Sequence, residues 1–454
     1  MSMLHVDLDL VRKYNIATPR YTSYPPATQF GEMPAEQVLE QIRANNENSH
    51  RDISLYFHLP FCRSLCWYCG CTTVITTQQR QSTTYLNYLK RELSFMREFL
   101  HREREVVQLH LGGGTPTFFP PDELRELSHV VREQFCVAEN LEAGVEIDPR
   151  SLTHDHVAAL SEAGFRRASI GVQDFNPLVQ NAINRFQPKT MSENAITLLR
   201  DAGFDSINID LVYGLPHQSV RSFGETLDAV IALRPNRLAV FNYAHVPWLK
   251  PAQRLLQWLP TPETKLQLLK LTIEKLTSAG YVYIGLDHFA LPHDELAIAQ
   301  REKTLQRNFQ GYSTRVNADI YAFGMSSISQ ANGTYWQNHK DLSRYYSALD
   351  AKTAPIAKGY VLTADDKIRR EVIMRLMCDM ALDFDAMSNS LGVIFTDYFT
   401  RELASLKGLE ADGLIEADDH GFAVTDLGRL LIRNIAVHFD AHQNEKTRQF
   451  SNSI

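Results

Sequence analysis

The sequence has few cysteines and no long apolar run. Its 454 residues include only six cysteines, and no stretch approaches the ~18 consecutive apolar residues of a membrane-spanning helix. The first residues carry acids at Asp7 and Asp9, where a signal peptide would have a basic and then an apolar stretch. We therefore expect a cytoplasmic protein that does not enter a membrane and whose cysteines are reduced rather than paired in disulfides.

An excess of positive charge is also missing. The formal net charge is -7 and the isoelectric point lies near 6.2, whereas general binders of nucleic acids or anionic membrane surfaces need a basic face. With 44% hydrophobic and 22% charged residues, the composition is that of a globular chain long enough for a large core and a smaller one. The sequence therefore favours a small molecule as its ligand and predicts no nucleic-acid partner.

Strand-like and helix-like segments alternate along much of the chain. Apolar runs, each followed by polar or glycine-rich residues, predict strands over 54–57, 107–111, 144–148, 167–171, 206–211 and 237–242. Amphipathic stretches between them predict helices over 83–99, 121–134, 153–163, 191–201 and 262–278. Six βα units imply a parallel sheet, either an open one or a barrel. We favour a partial TIM-type (β/α)6 barrel, because the polar segments would then converge over one mouth.

The pattern changes towards both ends and predicts three domains. Residues 1–50 read as an irregular N-terminal cap, 51–350 as the barrel with its extension, and 351–454 as a mainly helical, winged-helix-like domain with a hairpin within 408–428. A winged helix could bind DNA, but this last segment holds more acidic than basic residues. A structural or substrate-covering role is therefore favoured for it.

Four of the six cysteines lie close together in one loop. Cys62, Cys66 and Cys69 form a C-x3-C-x2-C pattern, in which three thiolates can hold three irons of a [4Fe-4S] cluster and leave the fourth iron open. Structural zinc, with Cys71 as the fourth ligand, is the alternative. It is disfavoured because the sequence offers no second, distant pair of cysteines or histidines. The remaining two cysteines, 136 and 378, are predicted to be buried core thiols.

A glycine-rich segment follows the second predicted strand. Glycines at 112–114 would let the backbone approach a ligand closely, although a plain tight turn is the other interpretation. The cysteine loop, with Trp67 and Tyr68 between its second and third ligands, followed by this segment, resembles the radical S-adenosylmethionine (SAM) superfamily. The α/β barrel expected above is then a radical SAM barrel.

Further segments are similar to one family within that superfamily, the bacterial oxygen-independent coproporphyrinogen III oxidases. They extend along essentially the whole chain, at 19–25, 171–176, 184–187, 208–216, 241–245, 307–312 and 428–434. The resemblance implies oxidative decarboxylation of two propionate side chains of coproporphyrinogen III to vinyl groups, giving protoporphyrinogen IX in haem synthesis. It also implies a [4Fe-4S] cluster, two SAM molecules, a reduced donor such as a flavodoxin or ferredoxin, and a monomer.

A haem-binding trafficking protein with the same cysteine loop is the competing hypothesis. Such relatives lack the Arg-Tyr-Thr-Ser-Tyr-Pro segment that this chain carries at 20–25. The presence of that segment favours the enzyme.

The resemblance also assigns residues. The cluster ligands are Cys62, Cys66 and Cys69. The residues implied for the cluster-bound SAM are Tyr56, Gly113, Glu146 and Ile328. Those for the second SAM are Tyr68, Gly114, Thr115, Gln173, Arg185, Asp210 and Ala244. Catalytic roles are expected for Glu146, Phe309, Gln310 and Ile328, and contact with the substrate for Arg20 and Tyr21.

Several of these residues have plainer interpretations. Acids and arginines at strand ends often form ordinary ion pairs, and Arg20 could pair within the fold. His58 and His245 are interpreted as structural groups. Ala322 and Phe323 replace residues of a more glycine-rich family loop, which would narrow or stiffen that loop.

Overall fold

The computed structural model describes residues 8–14, 16–46, 51–316 and 318–443. Asp7 and the rest of the first seven residues, on which part of the expectation of a missing signal peptide rests, lie outside this range. The chain forms two compact units. The sheet unit comprises Gln29–Asp210 and Asn317–Val361, and the terminal unit comprises Met1–Thr28, Leu211–Val316 and Leu362–Ile454. The three predicted sequence domains stay a prediction. In the ranges given, no helix combines the length and apolar character needed to cross a bilayer.

The strands, in chain order, are β1 (Gly31–Glu32), β2 (Ile53–Leu59), β3 (Phe61–Cys62), β4 (Val74–Ile75), β5 (Glu105–Gly113), β6 (Cys136–Ile147), β7 (Arg167–Gln173), β8 (Ser206–Tyr213), β9 (Arg237–Asn242), β10 (Val282–Gly285), β11 (His288–Ala290), β12 (Gln306–Asn308), β13 (Gly311–Ser313), β14 (Asp319–Phe323), β15 (Ile328–Ala331), β16 (Thr334–Asn338), β17 (Ile356–Val361), β18 (Ala381–Asp383), β19 (Ile415–Ala417) and β20 (Gly421–Val424).

The helices, in chain order, are α1 (Leu8–Tyr14), α2 (Ala35–Asn46), α3 (Arg80–Arg97), α4 (Pro121–Gln134), α5 (His154–Glu162), α6 (Pro177–Ala182), α7 (Lys189–Asp201), α8 (Val220–Ala232), α9 (Pro262–Ser278), α10 (Glu295–Arg301), α11 (Leu342–Asp350), α12 (Ala364–Asp379), α13 (Phe384–Leu391), α14 (Phe395–Tyr398), α15 (Thr400–Ser405), α16 (Lys407–Ala411), α17 (Asp426–Leu430) and α18 (Ile432–Ala436).

The predicted βα series is confirmed. Strand β9 and helices α4 and α9 have the predicted bounds, and the other predicted strands and helices are present with ends shifted by a few residues, apart from β6, which starts eight residues earlier at Cys136. Local signals explain the agreement. Pro121 and Pro262 occupy the first helical position, where a missing N–H costs nothing, and the Thr261 side chain accepts a hydrogen bond from the Thr264 N–H.

The sheet unit is built on parallel strands whose carboxyl ends are aligned. Its strand order is β1-β17-β16-β15-β14-β2-β5-β6-β7-β8, with β8 contributing its residues up to 210. Strands β14, β2, β5, β6 and β7 run parallel, and the register places Tyr56 opposite His110 and Glu146 opposite Ser169. Six of the seven residues of β2 are buried, as expected for a strand covered on both faces. Side chains after these strands therefore meet at one edge.

The terminal unit contains the rest of β8 and the last predicted strand. The Tyr243 N–H donates to the Tyr213 carbonyl at 2.8 Å, so the chain after β9 lies beside the end of β8. Strands β18, β20 and β19 form a small antiparallel sheet followed by α17. The hairpin and helix predicted in the C-terminal segment are thus confirmed.

The prediction for the two isolated cysteines is half right. Cys378 on α12 is buried, but Cys136 is exposed. Cys136 is the first residue of β6 and pairs with Glu105, the exposed first residue of β5. The thiol therefore lies at the solvent-facing end of the sheet, where the apolar strand pattern has not yet begun.

Glu92, on α3, is a carboxyl group buried inside the sheet unit. It is only 2% exposed, and it accepts hydrogen bonds from the Tyr345 hydroxyl (2.6 Å), the Gly324 N–H (2.8 Å) and the Asn338 amide (2.6 Å). Burial raises the pKa of Glu92 from 4.5 to about 7, although these hydrogen bonds act in the opposite direction. The carboxyl group fastens α3 to the loop that leads from β14 to β15.

The raised pKa of Glu92 makes folding stability depend on pH. Because the folded protein holds this proton more tightly than the unfolded chain, the stability linked to it is present below pH 4.5 and is lost as the pH rises through about 7. The loss amounts to about 3 kcal/mol at most. Glutamine cannot ionise, so we expect the Glu92→Gln variant to lack this decrease in folding stability with rising pH. Thermal unfolding of both proteins at pH 5, 6, 7 and 8 checks it, and equal pH dependence would contradict the assignment.

Candidate active site

The cysteine loop begins directly at the carboxyl end of β2. Cys62 and Cys69 are partly buried, Cys66 is buried and Cys71 is exposed. The Cys69 N–H donates to the Cys66 carbonyl at 3.0 Å, which folds the loop into a turn. The parallel pairing of β3 with β4, including Cys62 opposite Ile75, closes the loop at its base.

The glycine segment after β5 packs against the start of this loop. The Gly114 N–H donates to the Leu59 carbonyl at 2.9 Å, and the Thr115 N–H donates to the Phe61 carbonyl at 3.0 Å. A Cβ atom on Gly114 would lie 2.5 Å from the carbonyl group of Pro60, so only glycine fits. Residue 113 has φ +110°, and a Cβ there would lie 2.6 Å from the His58 ring. The predicted close approach of the backbone is therefore present.

Positive charge lies beside the second cysteine. Arg150 Nη2 and Arg185 Nη1 lie 3.5 Å and 3.7 Å from Cys66 Sγ. Both guanidinium groups also pair with Asp148, at 2.6 Å and 3.0 Å. Burial works to raise the pKa of Asp148, but the two arginines outweigh it and hold that pKa below its usual value. Arg185 thus forms an ion pair, as the plainer interpretation expected, and also donates to the Gly171 carbonyl at 2.8 Å.

A second polar group is centred on Glu146, near the end of β6. Its Oε2 accepts from the Gly113 N–H at 3.0 Å, and its Oε1 lies 3.5 Å from His110 Nε2. Burial opposes ionisation, but His110 and the Gly113 N–H outweigh it and lower the pKa of Glu146. The Tyr56 ring stacks on His110 with centroids 5.9 Å apart. The Tyr56 hydroxyl donates to His58 Nδ1 at 3.2 Å.

His58 is fixed by hydrogen bonds on both ring nitrogens. Besides the contact to Tyr56, its Nε2 donates to the Thr72 carbonyl at 2.9 Å. Burial lowers the pKa of His58, so the ring is neutral. These contacts support the interpretation of His58 as a structural group that ties β2 to the end of the cysteine loop.

Asp210, in β8, lies among hydroxyl and amide donors. It accepts from the Ser169 hydroxyl at 2.8 Å and the Asn208 amide at 2.7 Å. Burial raises the pKa of Asp210 to about 6. Gln173, at the end of β7, has φ 68° and is buried, and its amide lies 2.7 Å from where a Cβ on Gly171 would be. These side chains come from neighbouring strands of the sheet unit.

Ile328 begins β15, after the loop that Glu92 anchors. Gly324 in this loop has φ +95°, and a Cβ there would lie 2.4 Å from the Tyr85 hydroxyl. That hydroxyl donates to the His58 carbonyl at 2.8 Å. Phe323 stacks on Phe57 with ring centroids 5.3 Å apart. The substituted loop is therefore held by ring packing at its start.

The other predicted site residues belong to the terminal unit. Arg20 forms an ion pair with Asp287, and the Tyr21 hydroxyl donates to Asp440 at 3.0 Å. The remaining predicted residues of this unit lie in loops. Ala244 and His245 follow β9, and Phe309 and Gln310 form the turn between β12 and β13. His245 Nδ1 accepts from the Tyr243 hydroxyl at 2.9 Å.

Comparison with known proteins gives two domain matches. Residues 56–230 match the radical SAM superfamily, and residues 362–431 match the domain described as HemN C-terminal domain. The first range contains the cysteine loop and the glycine segment. The second includes the hairpin of β19 and β20.

Curated relatives cover the whole length. An oxygen-independent coproporphyrinogen III oxidase of Synechocystis is 45% identical over 455 residues, 98% of this chain and 97% of the relative. A protein of the same name from Escherichia coli is 45% identical over 460 residues and covers both chains completely. The chain belongs to the family of oxygen-independent coproporphyrinogen III oxidases.

The fold of this oxidase-family protein is also that of a solved relative. The structure described as coproporphyrinogen III oxidase (HemN) from Escherichia coli, a radical SAM enzyme, matches with a TM-score of 0.92 and 43% identity, over 97% of this chain and 100% of the other. This match confirms the predicted radical SAM α/β fold with a mainly helical C-terminal region. Membership of the radical SAM superfamily brings with it a [4Fe-4S] cluster and SAM.

The cysteine loop of this oxidase-family chain fits such a cluster. The loop offers three thiols, of which those of Cys62 and Cys69 are partly buried and that of Cys66 is buried. Arg150 and Arg185 can compensate the negative charge of a metal-bound Cys66 thiolate. Hydrogen bonding to Cys69 raises the pKa of Cys71. Over the described residues, no set of three or more His, Cys, Asp or Glu side chains is arranged to hold a metal ion. This finding concerns side chains grouped around a single ion, whereas the thiolates that hold an iron–sulfur cluster each bind a different iron.

Three polar residues of this site had no role assigned from the sequence: His110, Asp148 and Arg150. The polar segment after the third strand was visible, but its partner Arg185 lies 35 or more residues away along the chain. His110 falls inside a predicted strand, where alternation of exposed and buried positions gives no chemical signal. Only the parallel register, which sets His110 beside Glu146, brings these groups together.

Proposed function

We propose that this protein decarboxylates two propionate side chains of coproporphyrinogen III to vinyl groups without oxygen, giving protoporphyrinogen IX in haem synthesis. The observation that carries the proposal is full-length similarity to proteins named oxygen-independent coproporphyrinogen III oxidase. The cysteine loop and the glycine segment beside it supply the matching site.

In the proposed mechanism, Cys62, Cys66 and Cys69 would hold the cluster, and the cluster with SAM would supply a radical able to remove a hydrogen atom from a propionate β-carbon. Formation of the vinyl group would then require the substrate to lose CO2 and to pass one remaining electron to an acceptor. No side-chain base could remove that hydrogen, so the task of the protein is to bind, orient and exclude water. Glu146, whose lowered pKa keeps it ionised at neutral pH, would accept a hydrogen bond from the SAM amine. The Gly113 backbone leaves the space for it, and Tyr56 and Ile328 complete this set.

We extend the proposal to a second SAM molecule. Its residues would be Tyr68, Gly114, Thr115, Gln173, Arg185, Asp210 and Ala244. Gln173 and Arg185 both lie next to Gly171, and the charge of Arg185 acts on Asp210, which supports this set. The inclusion of Ala244 rests on the motif resemblance alone. Because Arg185 is paired with Asp148, its guanidinium group would bind a SAM carboxylate and the Asp148 carboxylate at the same time. Phe309 and Gln310 are proposed to act on the substrate or on SAM, and Arg20 and Tyr21 to contact the substrate.

Because the pKa of Asp210 is raised, binding of the second SAM molecule should depend on pH. Asp210 is ionised above about pH 6 and neutral below it, and only the carboxylate accepts hydrogen bonds with both oxygens. We expect the SAM stoichiometry, measured by anaerobic equilibrium dialysis, to fall from two to one between pH 7 and pH 5. Asp210→Asn should bind one SAM at both pH values, and binding of two SAM molecules by this variant at pH 7 would contradict the role.

The activity has a direct test. The full-length protein, with its cluster reconstituted anaerobically, is mixed with a reductant, SAM and coproporphyrinogen III. Release of CO2 and methionine together with protoporphyrinogen IX is expected, and omission of SAM is the control. Tight binding of haem with neither product would contradict the proposal and favour a trafficking protein.

The remaining parts of the proposal concern the setting of the enzyme. A reduced flavodoxin or ferredoxin would supply the electron, and the protein would act as a monomer. None of the six cysteines forms a disulfide, which supports a location in the reducing cytoplasm. A cap over 1–50, a barrel domain over 51–350 and a C-terminal domain over 351–454 are proposed as its parts.

A further inference from the structure

Arg307 is a buried arginine with unused hydrogen-bond donors. It lies on β12 in the terminal unit and is only 6% exposed. Its Nε and Nη1 find no hydrogen-bond partner in the described part of the chain, and no ion pair of Arg307 occurs there either. Its Nη2 approaches the Arg20 carbonyl at 3.5 Å, and its guanidinium stacks over the Tyr312 ring at 4.8 Å. A buried cation without a counter-charge is costly to keep.

Two further arginines share this location. Arg433 on α18 is 4% exposed, and it donates to the carbonyl groups of Thr18 and Pro19. Arg20 follows in the chain, and its side chain is 35% exposed. Burial lowers the pKa of Arg20 to about 9, and the nearby charges of Arg433 and Arg307 add to this effect. Like charges are therefore brought together within one buried cluster.

The walls of the cluster supply little negative charge. Asp287 pairs with Arg20, but the ring neighbours are neutral. His288 packs edge-on against Tyr312, with centroids 5.3 Å apart, and its Nδ1 is a further buried atom with no partner in the described ranges. Burial, with the nearby arginines, lowers the pKa of His288 to about 3. The ring thus adds no charge at neutral pH and cannot balance the arginines.

We propose that Arg20, Arg307 and Arg433 form a carboxylate-binding site that receives a propionate group of the tetrapyrrole substrate. This inference rests on the proposed function, since coproporphyrinogen III carries four carboxylates. A carboxylate would satisfy the unused donors of Arg307 and supply the missing charge. Arg20, the most exposed of the three, is where the carboxylate enters, in competition with Asp287. Arg433 acts as a positioning residue, because it fixes the backbone immediately before Arg20.

The test compares a charged and an uncharged ligand of the same shape. Coproporphyrin III, the stable oxidised tetracarboxylate, and its tetramethyl ester are titrated against the full-length, cluster-loaded protein by porphyrin fluorescence anisotropy. We expect Arg307→Met to weaken binding of the acid by about 10- to 100-fold, as for the loss of a charged hydrogen-bonded pair, and to leave the ester unchanged. Arg307→Lys should restore part of the affinity. Arg221→Met removes one charge from a side chain that is 91% exposed and serves as the matched control.

A second measurement distinguishes a ligand-binding arginine from a structural one. Because Arg307 has unused donors, Arg307→Met should leave the unfolding temperature of the ligand-free protein unchanged or higher. Equal affinity of wild type and variant for the acid would overturn the proposal, as would an equal loss for acid and ester or a lowered unfolding temperature. These outcomes leave the proposed function standing if the wild type still turns over its substrate. A wild type that neither binds the porphyrin nor releases CO2 would overturn both.

Discussion

Each of the substitutions Cys62→Ser, Cys66→Ser and Cys69→Ser is expected to abolish the iron–sulfur cluster. A serine hydroxyl is a poor ligand for iron at neutral pH. With only two cysteine thiolates, a second iron of the cluster would have no protein ligand, in addition to the iron that is open already. Anaerobic reconstitution followed by visible absorbance and iron and sulfide analysis measures the loss. Production of CO2 from coproporphyrinogen III should fall below detection in all three variants.

Cys71→Ser is the matched control, because it changes the same atom in the same loop. Cys71 is exposed and its thiol is hydrogen-bonded to Cys69, so we expect the variant to keep its brown colour and full iron content. Loss of the cluster in Cys71→Ser, or its retention in any of the other three, would contradict the assignment of ligands. A colourless protein that carries zinc would favour the structural zinc site.

The sequence predicted the elements of this fold well because their signals are local. Strand β9 and helices α4 and α9 follow from apolar periodicity and from prolines at helix starts. The cysteine loop was found for a similar reason, since all its thiols lie within ten residues. Cys136 was misjudged because burial depends on where a strand enters the sheet, and that position is not encoded in the strand itself.

The contacts of the site were harder to predict, because they depend on which strands are neighbours. Arg185 was predicted to bind a ligand, and its contacts with Asp148 and Cys66 were not predictable from the sequence. Likewise, the pairing of Arg20 with Asp287 joins residues far apart in the chain. The sequence could therefore indicate which residues belong to the site. The contacts of each residue depend on how distant parts of the chain are brought together in three dimensions.

Gly114→Ala is expected to disrupt the site without changing any side chain that carries chemistry. The added Cβ would lie 2.5 Å from the Pro60 carbonyl group and 2.9 Å from the Phe61 carbonyl oxygen. Both neighbours are backbone, so the glycine segment and the start of the cysteine loop must move apart. The hydrogen bond from the Gly114 N–H to Leu59 would be strained as well. We expect destabilisation on the order of 3 kcal/mol, measured by thermal unfolding, and loss of most of the bound cluster.

Gly70→Ala distinguishes this steric effect from a general intolerance of the loop. Gly70 lies within the same cysteine loop, between Cys69 and Cys71, and a Cβ there would meet no atom within 4 Å. The variant should therefore bind iron and unfold like the wild type. If Gly114→Ala also behaved like the wild type, the close packing of the two segments would not be what positions Cys62. If both variants lost the cluster, backbone freedom in the loop, rather than this contact, would control cluster binding.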